Sequence, residues 1–238
     1  MVLTGTNGKW FSKEEEQTIK LHGVKSMDLI IRPEGADDYR VVEELTREAF
    51  WNLHVPGCDE HFVLHNLRKC PAFIPELDLV AEKDGTIVGH IVYSSSMIVD
   101  NEANAKHEVI TFGPVSVLPS LQKQGIGSAL IKHSLDKAKQ MGYSAVCIYG
   151  DPRYYSRFGF RCTEKFDIKT ASGKFAVALL ALELQAQALQ NVRGRFYEDP
   201  AFDVNQDEFD IFEKTFVPKE KKVTDTQLEF RLLAGLTY

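Results

Sequence analysis

The sequence predicts an α/β fold of the α+β kind: a mixed, mostly antiparallel central sheet with helices on both faces. Three observations predict it. Two apolar runs, 77–82 and 87–95, flank Lys83-Asp84-Gly85-Thr86, and an Asp-Gly turn of this kind closes an antiparallel hairpin. A strand at 107–118, a strong amphipathic helix at 125–141 and an apolar strand at 143–149 form a strand-helix-strand unit, whose crossover is right-handed. The chain has 238 residues, 44% of them hydrophobic, enough to bury a core without disulfide or metal staples.

The first 26 residues are polar and irregular, and are expected to form an arm outside the core. Ser12 and Glu15 could make a capping box on a short helix at 13–21. A domain is expected over 27–190, with a C-terminal extension, 191–238, packed on it. Residues 28–32 form a short strand stopped by Pro33. Over 36–51 the spacing of Val41, Val42, Leu45, Ala49 and Phe50 predicts a helix with one apolar face, and a second helix covers 59–68. Pro114 lies within the 107–118 strand and has no N–H for a ladder, so pairing is expected to break or splay there. The 125–141 helix carries Leu130, Ile131, Leu135, Ala138 and Met141 on one side, and Gly142 stops it. A short helix at 153–158 and a strand pair from Gly159-Phe160 follow. Residues 175–184 are helical by content but follow a turn at Ser172-Gly173-Lys174, and are read as a strand.

Composition excludes several classes. No apolar run approaches the roughly 20 residues that span a membrane. The N-terminal residues lack the basic and apolar regions of a secretory signal. Cys58, Cys70, Cys147 and Cys162 form no Cys-x-x-Cys pair and read as reduced thiols of a cytoplasmic protein. The net charge of −6 and the lack of a basic patch argue against nucleic acid. His61 and His65 share a helix face beside Asp59 and Glu60, but no third ligand is evident and no metal is expected. Ser94-Ser95-Ser96 lacks the hydrolase elbow and is assigned to a strand end.

The chemistry is carried by Gln122-Lys123-Gln124-Gly125-Ile126-Gly127-Ser128, where a strand ends and two glycines open a helix. Helix N-termini leave backbone N–H groups free and carry partial positive charge, so this is an anion site, or else a tight turn without a ligand. The Rossmann fingerprint fails because Leu130 stands at its third glycine, and a P-loop fails because Trp10 follows Gly8-Lys9. Gln/Arg-x-x-Gly-x-Gly/Ala fits. With Tyr154-Tyr155-Ser156-Arg157-Phe158-Gly159-Phe160 after the next strand, the chain resembles the GNAT N-acetyltransferase superfamily. The run from Gly150 to Phe160, with Gly194-Arg195-Phe196-Tyr197 and Pro200-Ala201-Phe202, resembles its YhbS-like branch. The resemblance covers about residues 28–202.

That resemblance implies acetyl-coenzyme A as cosubstrate. Backbone amides of Gln122, Lys123, Gln124, Gly125, Ile126, Gly127 and Ser128 would hold the pyrophosphate, and main-chain groups around Val115 and Val117 would pair with the pantetheine arm. Tyr155 would protonate the departing thiolate; without the motif it reads as an aromatic packed under the next strand. A neutral amine of a small molecule or protein must attack, so a base is needed. Thr111 occupies the place where some relatives carry a glutamate and cannot serve. Glu108 and Asp151 are candidates, with plain readings as a solvent-facing strand residue and a turn residue. A non-catalytic acyl-coenzyme A-binding regulatory module is the alternative, and a scaffold docking a partner through its tail is a third. The seven acidic residues of 198–213, interleaved with Phe202, Phe209, Ile211 and Phe212, are either a solvated face of a docked tail or an acidic rim that attracts amines. The oligomeric state is not legible.

Overall fold

The computed structural model describes residues 17–21 and 27–238. Among these residues ten strands and six α-helices follow in chain order: β1 (Gln17–Leu21), β2 (Met27–Pro33), α1 (Tyr39–Phe50), α2 (Glu60–Leu67), β3 (Leu79–Lys83), β4 (Thr86–Asp100), β5 (Ala105–Val117), α3 (Ile126–Gln140), β6 (Ala145–Tyr149), α4 (Pro152–Tyr155), β7 (Arg161–Cys162), β8 (Ile168–Lys169), β9 (Leu179–Glu183), β10 (Gly194–Tyr197), α5 (Gln206–Glu213) and α6 (Asp225–Gly235). The sheet runs β1-β2-β3-β4-β5-β6-β9-β7, and β10 joins β4 and β8. Within the main path only β5 and β6 are parallel, as the crossover through α3 requires. The expected mixed, mostly antiparallel sheet is therefore the one observed.

Period-2 alternation sorts the strands between two layers. Leu79 and Ala81 face α3 with Ile91, Ile110 and Val146, packing on Ile126, Leu130, Leu135 and Ala138. Val80 and Val92 face the other way, onto Val42 and Leu45 of α1 and Leu64 and Leu67 of α2. Gly89 lets α3 lie close: a Cβ there would meet Leu130 Cδ1 at 3.0 Å and Ile126 Cγ2 at 3.1 Å. A closed polar cluster ties α2 to the sheet. Arg68 donates to both oxygens of Glu34 at 2.9 and 2.6 Å, and His90 Nε2 meets Asp78 Oδ1 at 2.6 Å.

Several sequence expectations change. Residues 17–21 form no helix; they pair antiparallel with β2, so part of the expected arm joins the sheet edge, where Thr18 and Ile19 suit an extended chain. Ser12 and residues 13–16 lie outside the described residues. Val41 is 49% exposed rather than core, because α1 instead turns Val42, Leu45 and Thr46 inward. Met141, just past α3, is 40% exposed. β4 continues to Asp100, so Ser94-Ser95-Ser96 sits inside a strand, with Ser94 and Ser96 buried. The strand reading of 175–184 holds for β9.

Candidate active site

Pro114 does interrupt the ladder. β4 pairs with β5 at Tyr93↔Phe112 and again at Ile91↔Val115, with a register shift between. The Gly113–Pro114 peptide is cis. The larger opening is on the other edge of β5. β5 and β6 share one register pair, Ile110↔Val146, although β5 runs on to Val117 and β6 to Tyr149. Beyond that pair the two strands diverge into a wedge.

On one side of the wedge stands the start of α3. Gly125 caps it with φ 93°, and Lys123 has φ 60°, so the loop coils tightly before the helix. Within α3 the first backbone bond runs from Ala129 N–H to Gly125 O at 2.9 Å, and the first-turn amides of Ile126, Gly127 and Ser128 have no carbonyl four residues back in the helix. Gln122, Lys123 and Gln124 are exposed, and no acidic residue stands in the first turn. A phosphate-sized anion meets free donors here and no side-chain negative charge. A Cβ on Gly127 would touch Val117 Cγ2 at 3.5 Å and the Tyr154 hydroxyl at 3.6 Å, so the helix start, the end of β5 and α4 meet at one place.

On the other side is a cleft of about 920 Å³. Its floor is Phe112–Val115 of β5, Tyr149–Asp151 and the tyrosines of α4. Asp151 caps α4, accepting from Arg153 N–H at 2.8 Å. The Tyr155 ring packs against Tyr154, Phe112 and Phe160 at 5.0, 5.9 and 5.8 Å between centroids. It lies so close over Gly150 that any Cβ there would overlap it. Burial, with Tyr154 and Asp151 nearby, pushes its phenol well above the usual value, so it stays protonated. Among the described residues nothing hydrogen-bonds its hydroxyl. Tyr155 and Val115 thus line one cleft, while Gln122 to Ser128 stand outside it at the helix start.

The two base candidates fare poorly. Glu108 is exposed on β5 opposite Met97 and does not line the cleft. Asp151 lines it, but Arg153 holds its carboxyl below the usual range through contacts of 2.7 to 3.0 Å. Thr111 is fully buried. His61 and His65 turn to different partners, Glu213 at 2.9 Å and Glu43 at 2.8 Å.

Sequence reasoning missed the cleft's other walls. The α1–α2 connection supplies His54, whose Nδ1 meets Glu60 Oε1 at 2.9 Å. Glu198, just past β10, also lines the cleft. Helix α6 crosses the opening, and His54 stacks on Phe230 at 4.3 Å. Glu198 was visible only as one acid among seven.

Residues 40–160 match the Acetyltransferase (GNAT) family. The chain is 28% identical over 167 residues to the uncharacterized N-acetyltransferase YhbS of Escherichia coli K12, a match covering 70% of this chain and 93% of that protein. A crystal structure of E. coli YhbS in complex with CoA superposes with TM-score 0.66 at 26% identity, over 77% of this chain and 96% of that one. A GNAT family acetyltransferase from Brucella melitensis in complex with acetyl-CoA gives TM-score 0.60 at 29% identity, over 74% and 98%. The family match spans the hairpin, the wedge, the α3 loop and the Tyr155 segment together, and on that ground the chain belongs to the GNAT family of acetyltransferases.

Proposed function

We propose that the chain transfers the acetyl group of acetyl-coenzyme A to a primary amine of a small molecule or protein by direct attack, with Tyr155 as general acid. The observation that carries this reading is the wedge, with a helix N-terminus free for phosphate on one side and a protonated tyrosine on the other. The amides of Gln122 to Ser128 would hold the pyrophosphate. Main-chain groups of Val115 and Val117, unpaired toward β6, would receive the pantetheine arm. The cosubstrate supplies an activated thioester; the chain's own residues orient it and manage protons. The similar structures from E. coli and B. melitensis, which hold CoA and acetyl-CoA, support the choice.

The amine nitrogen forms a bond to the thioester carbon, the carbon–sulfur bond breaks, and the thiolate leaves with the Tyr155 proton. The new amide sheds its surplus proton, which restores the phenol. Burial holds the Tyr155 phenol above its usual value, so it keeps its proton until a thiolate forms beside it in the cleft and takes it. In this reading residues 27–190 are the acetyltransferase domain and 191–238 an extension packed on it. The four unpaired thiols support a cytoplasmic location; no described helix is long and apolar enough to cross a membrane.

A thermal shift with acetyl-coenzyme A, against NAD and ATP, tests the cosubstrate. Ligand at one hundred times its Kd stabilises by about 2.7 kcal/mol, a rise of roughly 5–10 °C. No shift by a folded protein removes the reading. Tyr155→Phe should lower turnover by about 10² or more with that shift intact. A shift without transfer to any amine would favour the non-catalytic module.

A further inference from the structure

The proposed reaction leaves open what body carries the amine and where its first proton goes. Helix α6 answers the first question. Thr226, Glu229, Phe230, Leu233 and Ala234 of α6 line the cleft, the i, i+3, i+4, i+7, i+8 pattern of one helical stripe, and Thr237 just beyond the helix continues it. The helix is tied down at both ends. Thr224 Oγ1 donates to Asn52 O at 2.9 Å and Thr226 Oγ1 to Leu53 O at 2.8 Å. Beyond its other end, Val177 N–H donates to Leu236 O, and Phe175 and Tyr238 exchange backbone bonds. Between these anchors Phe230 is 39% exposed, over a cleft that nothing among the described residues fills. Facing it are Phe50, Leu53 and Val63. Both α6 and Glu198 lie outside residues 40–160.

Charge answers the second. Arg153, the one Lys or Arg among the described residues that line the cleft, is held by Asp151. Of the four carboxylates there, Asp151 is paired with Arg153 and Glu60 with His54. Glu198 and Glu229 have no hydrogen-bond or ion-pair partner among the described residues. Glu198 sits beside Tyr149, the residue before Gly150, over which the Tyr155 ring packs.

We propose that the acceptor is a primary amine on an apolar body, with that body against the inner stripe of α6 and its ammonium against Glu198, which takes the proton; this rests on the acetyl-transfer reading above. Burial, with Asp203 nearby, pushes the Glu198 carboxyl up to about 7, so it can accept a proton and release it near neutrality. Tyr149 and Cys147 on β6 are its other titratable neighbours, and Glu60, His54, Asp151, Arg153 and Glu229 share the cleft. In the step, the ammonium N–H bond breaks and Glu198 becomes a neutral acid. The freed lone pair attacks the thioester carbon, and Glu198 returns its proton to water. A second positive charge lying along Phe230 and Leu233 would lose its hydration, and the remaining unpaired carboxylate, Glu229, is solvent-exposed and repays little of it. An anionic acceptor would meet two unpaired carboxylates.

The test uses the full chain. Acetyl-coenzyme A binding is measured first, by thermal shift, then kcat/KM for 2-phenylethylamine and hexylamine against ethanolamine, spermidine and a lysine peptide. The apolar amines should lead by tenfold or more. Phe230→Ala should bring phenylethylamine within about threefold of ethanolamine, with the acetyl-coenzyme A shift unchanged. Wild-type kcat/KM should rise with pH through about 7; Glu198→Gln should lower kcat by about a hundredfold and erase that limb, its melting temperature reporting that it folds. Binding of acetyl-coenzyme A with spermidine, ethanolamine or the peptide preferred overturns the proposal and leaves acetyl transfer standing, as does Glu198→Gln with wild-type kcat and profile. Binding with no amine turned over overturns it in favour of the non-catalytic module. No binding overturns both.

Discussion

The cluster around Arg68 and the cleft beneath α6 are built from the same side chains, carboxylates with a histidine and an arginine, yet they do opposite things. In the cluster, the side chains of Glu34, Asp78, His90 and Arg68 are 0 to 3% exposed, and Arg68 occupies both oxygens of Glu34. Three of its donor atoms lie within 4.8 Å of one another, as metal ligands would, but a cation already holds Glu34. Burial pushes His90 down to about 4, so its ring is neutral and donates through Nε2 to Asp78. In the cleft, by contrast, Glu198 and Glu229 face volume with no partner among the described residues. A second closed line makes the same point. Cys58, His61 and Glu213 follow one another like a nucleophile, base and orienting acid, at 3.6 and 2.9 Å. Burial pushes the Cys58 thiol well up and His61 down to about 4, so neither is activated. What separates a site from a strut here is unfilled space beside an unsatisfied group.

The contrast can be broken most forcefully at Arg68. Arg68→Met leaves Glu34 and Asp78 buried without their cation, and should cost about 3–5 kcal/mol of stability in urea unfolding. The surviving folded protein should bind acetyl-coenzyme A normally, since the cluster takes no part in the wedge. Gly150→Ala comes next. The added Cβ overlaps the Tyr155 ring, and displacing that ring should lower kcat by about 10², with a melting temperature a few degrees below wild type. If kcat holds, Tyr155 is not positioned by Gly150.

Smaller effects sharpen the comparison. Burial pushes Glu34 up to about 8 and Asp78 up to about 6, with Arg68 pulling the other way but losing to desolvation. The folded chain therefore keeps protons that the unfolded chain releases, while below about 6.5 the buried neutral His61 and His90 act the other way, so stability should fall as pH rises from about 6.5 to 8. Glu34→Gln should flatten that fall. Cys58→Ala should change least: about 1 kcal/mol of stability and no change in turnover. A tenfold loss of turnover would bring the closed line into the chemistry and erase the distinction.

Sequence reading reached what periodicity and turn chemistry announce. The Asp84-Gly85 turn, the α3 stripe and its stop at Gly142, and the break at Pro114 all leave local marks. In sequence Ser94 and Ser96 look like a strand end, while the sheet, covered on both faces, buries them within β4. β1 leaves no local mark because its pairing with β2 is nonlocal. The α6 stripe was hidden by Leu228 and Leu232 on the outer face, 52 and 62% exposed, which blur its amphipathic pattern. The seven acids of 198–213 looked alike in sequence, yet Asp199 caps a turn, Asp207 and Glu208 stand in the first turn of α5, Glu213 pairs with Arg47, and Glu198 meets the cleft. Position in space, not composition, divides them.

The single register pair between β5 and β6 has a consequence for cooperativity. The sheet is two leaves, β1 to β5 on one side and β6, β9 and β7 on the other, stitched at Ile110 and Val146. Backbone groups along the open seam exchange with water unless something pairs with them. A molecule lying in the wedge is thus a temporary strand. Its binding free energy would appear less as rigidity of either leaf than as coupling between them, so that amide protons on both sides of the seam slow together when it is filled.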